Sequence, residues 1–142
     1  MTTDAINGAE RHRVMVVDDH PDTREVFDVV LNLRGFEVTA PATVALAFAE
    51  LQHEPRPCVV LLDLHMPEID GWTFIDCVRG EPECAELPLV IVSGDLAQRM
   101  RAEERGFDFL PKPVAPDELV AAVERHCRRH RDLTRDVGVR NG

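Results

Sequence analysis

The chain has 142 residues, which is enough for one hydrophobic core and too few for two domains of ordinary size. Its 26 acidic and 16 basic residues give a formal net charge of −10, so we expect no binding to nucleic acid or to an anionic membrane. No segment approaches the ~20 consecutive apolar residues of a membrane-spanning helix, and residues 1–13 do not resemble a signal peptide, which predicts a cytoplasmic protein.

The two ends of the chain lack the apolar periodicity of its middle. Residues 1–12 are polar, and residues 131–142 follow the last helical pattern. We therefore predict disordered tails over residues 1–12 and 131–142 and one domain over residues 13–130. The short segment after this domain has no room for a DNA-binding module, so we expect a domain that acts without an output domain of its own.

The first half of the domain alternates apolar runs with helical patterns. The runs "VMVV" at residues 14–17 and "FEVTA" at residues 36–40 predict strands. Apolar residues at helical spacing follow each run. Asp22 and Glu25 predict a capping box at the start of the first helix, and Gly35 predicts its end.

The second half continues this alternation. The runs "CVVLLD", "LVIVSG" and "FDFL" predict three more strands, at residues 58–63, 89–94 and 107–110. Helical patterns follow at residues 72–79 and 96–104, and Pro116 opens a final helix. Five short apolar strands alternating with five helices predict the doubly wound α/β class, with a five-stranded parallel sheet covered on both faces.

Polar side chains stand where the predicted strands end. The first strand is followed by Asp18 and Asp19, the third ends at Asp63, the fourth contains Ser93, and the fifth is followed by Lys112. In open α/β sheets, ligands bind beyond the carboxyl ends of the strands. Caps and turns can explain such residues singly, but they explain neither Asp63 before "LHMP" nor the lysine.

This combination of residues suits a particular chemistry. Three clustered carboxylates repel one another and need a cation, and a hard divalent ion such as Mg2+ or Mn2+ prefers oxygen ligands. A metal and a lysine can neutralise the oxygens of a transferring phosphoryl group, while a carboxylate oxygen serves as nucleophile. The sequence therefore predicts that Asp63 is phosphorylated.

Four sequence blocks carry a family resemblance. In chain order they are "MVVDD", "LLDLHMPEIDG", "IVSGD" and "FLPKP". Together they resemble the receiver domain of two-component response regulators, over roughly residues 13–130. The resemblance implies a flavodoxin-like receiver fold.

The resemblance also implies roles for the acidic residues. Asp63 would be the phosphoacceptor, and Asp19 and Asp63 would bind Mg2+ directly. Asp18 would act mainly through a metal-bound water, and the backbone carbonyl of His65 would add a ligand.

The resemblance implies roles for four further positions. Ser93 would bond a phosphate oxygen, Lys112 would contact the acyl phosphate, and Phe109 would be an aromatic switch residue. The peptide bond before Pro113 would be cis. Because the segment from Ser93 to Lys112 is a few residues shorter than is usual in the family, the fourth helix should be short or distorted.

The implied function is a switch in a phosphorelay. A sensor histidine kinase or a histidine phosphotransfer protein would donate the phosphoryl group, and the domain would catalyse its own phosphorylation and dephosphorylation without being a conventional enzyme. A downstream protein would receive the signal, and the domain would be a monomer or a phosphorylation-dependent dimer.

Three alternatives belong to other classes. A haloacid-dehalogenase-type hydrolase needs a second aspartate two residues after the first, where this chain has His65. A flavin-binding module needs a phosphate loop rich in Ser, Thr and Gly, and "DDHPD" is acidic. A degenerate receiver that docks to proteins without phosphorylation is the closest alternative, and the joint presence of the acidic residues, Ser93 and Lys112 argues against it.

The chain has four cysteines, Cys58, Cys77, Cys84 and Cys127. Their spacing matches no zinc motif and no small disulfide framework. We expect them to be reduced thiols, mostly buried.

Overall fold

Within residues 12–127, which are those that the computed structural model describes, five strands form one parallel sheet. The predicted tails, apart from His12, and the predicted domain end at residue 130 lie outside the described residues. The sheet has the order β2-β1-β3-β4-β5, and every neighbouring pair is parallel. The strands are β1 (Arg13–Val17), β2 (Glu37–Thr39), β3 (Val59–Leu62), β4 (Leu89–Ser93) and β5 (Asp108–Pro111).

A helix follows each strand, as the alternating pattern predicts. The helices are α1 (Pro21–Leu33), α2 (Val44–Leu51), α3 (Gly71–Arg79), α4 (Arg99–Glu104) and α5, whose described part covers residues 116–127. In the described part of the chain, no helix is both long and apolar enough to cross a membrane.

The sheet is buried on both faces because alternate strand residues point to opposite sides. In β1, Val14 and Val16 pack in a cluster that includes residues of α1 and α5. Met15 and Val17 pack in a second cluster that includes residues of α2 and α3. This two-sided burial explains why the strands read as continuous apolar runs, and it confirms the predicted fold class.

The start of α1 differs from the predicted capping box. The N-cap residue is His20, whose side chain makes no capping hydrogen bond, and Pro21 is the first helical residue. Asp22 lies in the first turn, where a carboxylate is favourable to the helix dipole. Because proline has no N–H and a fixed φ, it can open a helix without the predicted box. The predicted end at Gly35 is confirmed, since this residue has φ of +91° just after the helix.

The fourth helix is short, as the reduced spacing before Lys112 predicts. A 3-10 turn at Leu96–Gln98 leads directly into α4, which has only six residues. Ala102 is buried in α4, whereas Leu96 and Met100 are exposed. The helix that leads into β5 is therefore short, and part of its apolar surface is exposed.

The prediction of four reduced thiols is wrong for Cys58 and Cys127, which form a disulfide with a Cα–Cα distance of 5.6 Å. They are 69 residues apart, so no local spacing could indicate the pair. The fold brings them together because Cys58 directly precedes β3, while Cys127, the last described residue of α5, faces the core. The other two remain thiols, with Cys84 buried and Cys77 exposed.

Candidate functional site

The predicted site residues gather at the carboxyl edge of the sheet. Asp18 follows β1, Asp63 follows β3, Ser93 ends β4 and Lys112 follows β5. Because these strands are parallel, their carboxyl ends lie at the same edge. Asp18 and Asp63 are each only 4% exposed, and Ser93 is fully buried.

Lys112 is the cation that lies between the two buried carboxylates. Its Nζ is 2.8 Å from Asp18 Oδ2 and 3.5 Å from Asp63 Oδ2. The Lys112 backbone N–H donates to the Ser93 carbonyl at 3.0 Å, which ties the lysine to the end of β4. The Lys112–Pro113 peptide bond is cis, which confirms that prediction.

Asp63 is a buried carboxylate whose surroundings shift its pKa in opposite directions. Burial, the largest influence, raises the pKa of Asp63 above its ordinary value. The His65 backbone N–H donates to Asp63 Oδ1 at 3.2 Å and, together with Lys112, acts in the opposite direction. The carboxylate is thus held in one orientation in a place where its negative charge is costly.

His20 lies among three carboxylates. Its Nδ1 is 2.9 Å from Asp18 Oδ1, 3.3 Å from Asp19 Oδ1 and 3.8 Å from Asp63 Oδ2. The hydrogen bond to Asp18 is the main reason why the pKa of His20 is raised, and the charges of Asp19 and Asp18 add to it. His20 is not among the site residues predicted from the sequence. The available signal was its position directly after two aspartates.

The acidic residues fit a divalent cation. Ligand atoms from Asp18, Asp19, His20 and Asp63 all lie within 4.8 Å of one another. Among the described residues, the buried Asp19 Oδ1 has no hydrogen-bond partner. Lys112 supplies one positive charge against three carboxylates, and carboxylate oxygens are the ligands that Mg2+ prefers. The predicted ligand role of the His65 carbonyl stays a prediction.

Ser93 is linked to a second polar pair at the rim of the site. The Asp95 backbone N–H donates to Ser93 Oγ at 3.0 Å. The Asp95 carboxylate lies 3.1 Å from His65 Nε2, and this hydrogen bond lowers the pKa of Asp95. His65 therefore connects the loop after β3 with the loop after β4. Asp95 was not among the predicted site residues, although it directly follows the "SG" at the end of the fourth predicted strand.

Phe109 lies on β5 and pairs in register with Ile91 of β4. Its side chain is buried in the cluster on the α2 and α3 side of the sheet. The Arg99 guanidinium lies 5.7 Å from the centre of its ring. The structure thus shows a buried Phe109, and its exchange with an exposed position stays a prediction.

Comparison with known proteins identifies the family. The family model of the response regulator receiver domain matches residues 14–124. The chain belongs to this family. It is therefore a receiver domain of two-component signalling, as the four sequence blocks indicated.

Curated relatives agree with this assignment. Response regulator Rre1 of Synechocystis is 34% identical over 134 residues, which cover 92% of this chain and 57% of that protein. The phosphate regulon transcriptional regulatory protein PhoB of Klebsiella pneumoniae is 33% identical over 120 residues, covering 82% and 52%. The receiver spans about half the length of these two relatives.

A third relative has a similar size. An uncharacterized 14.6 kDa protein of Leptolyngbya boryana is 36% identical over 117 residues, which cover 80% of this chain and 88% of that protein.

Solved receiver structures share the fold. The receiver domain of NtrX from Brucella abortus has a TM-score of 0.72 at 29% identity, covering 81% of this chain and 98% of that chain. The chemotaxis response regulator CheY4 of Vibrio cholerae has a TM-score of 0.72 at 25% identity, with the same coverage. The predicted receiver fold is confirmed.

Proposed function

We propose that this receiver is a phosphorylation-activated switch of the cytoplasm. It accepts a phosphoryl group on Asp63 from the phosphohistidine of a sensor histidine kinase or a histidine phosphotransfer protein. The observation that carries the proposal is the pairing of the buried Asp63 carboxylate with Lys112, beside the Asp18 and Asp19 carboxylates.

The proposed reaction begins with attack by an Asp63 carboxylate oxygen on the phosphorus atom of the donor. The new O–P bond forms as the P–N bond breaks, and the donor imidazole leaves with the bonding electrons and takes up a proton. The His65 N–H orients the attacking carboxylate, and Lys112 balances negative charge on the phosphoryl oxygens. The receiver thus supplies positioning and charge for its own modification.

Asp18, Asp19 and Asp63 would hold Mg2+, with Mn2+ as a chemically similar substitute. When bound, the metal would neutralise negative charge on the transferring group. The Asp19 Oδ1, which accepts no hydrogen bond, and the excess of carboxylates over cations support this assignment. Hydrolysis of the acyl phosphate would return Asp63 to its free form.

Phosphorylation would act on Ser93 and Phe109. A phosphate adds roughly two negative charges and strong acceptor oxygens, which the Ser93 hydroxyl and the Lys112 ammonium can contact. Movement of Ser93 would free space for Phe109, which lies on the neighbouring strand. Phosphorylation shifts the equilibrium between the inactive and active conformations only by the difference between its interaction free energies with the two.

The surface formed by α4, β5 and α5 would carry the signal to a downstream protein, with a monomer or a phosphorylation-dependent dimer as the active form. The family assignment and the position of Phe109 on β5 support this choice of surface.

The test is the intact mass of the protein after incubation with acetyl phosphate and Mg2+. We expect a gain of one phosphoryl group in the wild type and none in Asp63→Asn or in EDTA. Asp76→Asn, which changes an exposed carboxylate on α3, is the matched control and should gain the group. If neither acetyl phosphate nor a phosphohistidine donor modifies the wild type, the phosphate-independent docking module becomes the better explanation.

A further inference from the structure

The Cys58–Cys127 disulfide lies at the sheet edge opposite the acidic site. Cys58 immediately precedes β3, whereas Asp63 immediately follows it. Cys127 is the last described residue of α5. One cross-link therefore connects the strand that carries the phosphoacceptor with a helix of the proposed output surface.

The disulfide is one of several contacts that hold the last described turns of α5 on the sheet. Leu119, Val120 and Val123 bury the apolar face of the helix against the sheet. Near its end, His126 and Arg125 contact Asp108 Oδ2, at 3.0 and 3.1 Å. Both ion pairs share the partly exposed Asp108 carboxylate and contribute little to stability compared with a covalent cross-link.

The disulfide borders a cleft through Cys58. A cavity of about 860 Å3 at this edge is lined by residues that include Cys58 and His126. Cys58 is 7% exposed and Cys127 is 1% exposed, so Cys58 is the more accessible half of the bond. A ring nitrogen of His12 lies within 4.8 Å of both sulfur atoms. A protonated imidazole beside a cysteine favours its thiolate form, which is the reactive form in exchange.

We propose that Cys58–Cys127 is a reversible thiol–disulfide site that controls how firmly the last described turn of α5 is held on the sheet. Disulfides in the cytosol are usually transient and redox-sensing, and this part of the reasoning rests on the proposed cytoplasmic location. The site is separate from phosphoryl transfer. It makes the output surface responsive to a second signal.

The reductant is a dithiol. One of its thiolates attacks Cys58 Sγ, the S–S bond breaks, and Cys127 leaves as a thiolate that takes up a proton. The second thiol of the reductant then attacks the mixed disulfide and releases Cys58 as a thiol. Two electrons and two protons pass to the protein, and the reductant becomes a cyclic disulfide. An oxidised dithiol reverses the reaction.

The first measurement is a thiol count on the full chain. Alkylation in denaturant, followed by intact mass, should add two groups to the oxidised protein, at Cys77 and Cys84. After treatment of the native protein with dithiothreitol it should add four, and re-oxidation should restore two. Four thiols before reduction would overturn the proposal. So would a pair that dithiothreitol reduces only in denaturant, because that disulfide would be a permanent cross-link.

The second measurement is hydrogen exchange of the oxidised and reduced proteins without phosphorylation. We expect amides of α5 to exchange faster by roughly tenfold after reduction, because a local constraint is lost, while amides of β1 report the separate loss of global stability. The double variant Cys58→Ser with Cys127→Ser should match the reduced protein with or without dithiothreitol. Cys77→Ser, which keeps the disulfide, should match the wild type. Equal exchange of α5 in the two redox states would overturn the proposal, whatever the outcome at Asp63.

Discussion

Buried charge dominates the chemistry of individual residues at the acidic edge. Asp18 and Asp63 are almost fully buried, and Lys112 is shared between them. The Lys112 ammonium lies closer to the Asp18 carboxylate than to the Asp63 carboxylate, so Asp63 has the weaker ion pair. Removing the charge of Asp63 should therefore relieve more desolvation and repulsion than it loses in attraction.

The first prediction concerns Asp63→Asn in EDTA. Because burial raises the pKa of Asp63, its ionised form opposes folding at pH 7, and that cost is absent well below the ordinary carboxyl pKa. We expect the variant to increase the free energy of unfolding by about 1 kcal/mol at pH 7. Urea unfolding measures the change. Asp76→Asn, at an exposed carboxylate, should alter it little, and a less stable Asp63→Asn would contradict the argument.

The second prediction concerns Asp19 and metal binding. Mg2+ that binds only the folded protein stabilises it by about 2.7 kcal/mol at 100 times its dissociation constant. Asp19→Asn should remove most of the increase in melting temperature caused by Mg2+, because the Asp19 Oδ1, which accepts no hydrogen bond, is a natural ligand. Asp22→Asn, in the first turn of α1, should keep the increase. An unchanged response in Asp19→Asn would show that the metal is held elsewhere.

At the scale of elements, the strands and the residues at their ends could be predicted from sequence. Strands buried on both faces give continuous apolar runs, and parallel pairing places their carboxyl ends together. The sequence therefore predicts Asp18, Asp63, Ser93 and Lys112 at one edge of the sheet, where the structure places them. The roles of these residues stay predictions, since geometry alone does not measure phosphoryl transfer.

Features that depend on tertiary contacts could not be predicted in this way. The predicted capping box of α1 does not form, because the His20 backbone N–H donates to Asp18 and Pro21 is the first helical residue. The His65–Asp95 pair joins two loops, and its members are distant in sequence. Local patterns contain no information about such contacts.

The third prediction concerns the first residue of α3. A Cβ added to Gly71 would lie 2.6 Å from Leu64 Cα, and backbone atoms cannot easily move away. We expect Gly71→Ala to lower the free energy of unfolding by about 2 kcal/mol, as overpacking does. At the other end of the helix, a Cβ on Gly80 would lie 3.5 Å from two carbonyl oxygens, which is ordinary contact. Gly80→Ala should therefore be neutral or slightly stabilising in the same urea experiment, and an equal loss in both variants would contradict the steric argument.

At the scale of the whole molecule, β3 connects two chemically different edges of the sheet. Its carboxyl end leads to the buried Asp63, and its amino end is preceded by the disulfide-bonded Cys58. All four residues of β3 are buried, and the strand pairs with β1 and β4. A strand that is packed on every side adopts discrete conformations more readily than it deforms gradually.

The fourth prediction concerns global stability in the two redox states. The disulfide joins residues that are 69 apart, and closing a loop of that size in the unfolded chain is worth about 4 kcal/mol in the chain-entropy model. We expect reduction to lower the free energy of unfolding by about 2 to 4 kcal/mol, since measured effects are often smaller than the model gives. Urea unfolding with and without dithiothreitol measures the difference.

The double variant Cys58→Ser with Cys127→Ser separates the disulfide from other effects of the reductant. It should unfold at one urea concentration whether or not dithiothreitol is present, because its two remaining cysteines are free thiols in the wild type. Cys77→Ser should retain the full redox difference, since its substitution leaves the cross-link intact. If the wild type showed the same midpoint in both conditions, the disulfide would not constrain the unfolded chain. The stability of the receiver would then rest on its two apolar clusters alone.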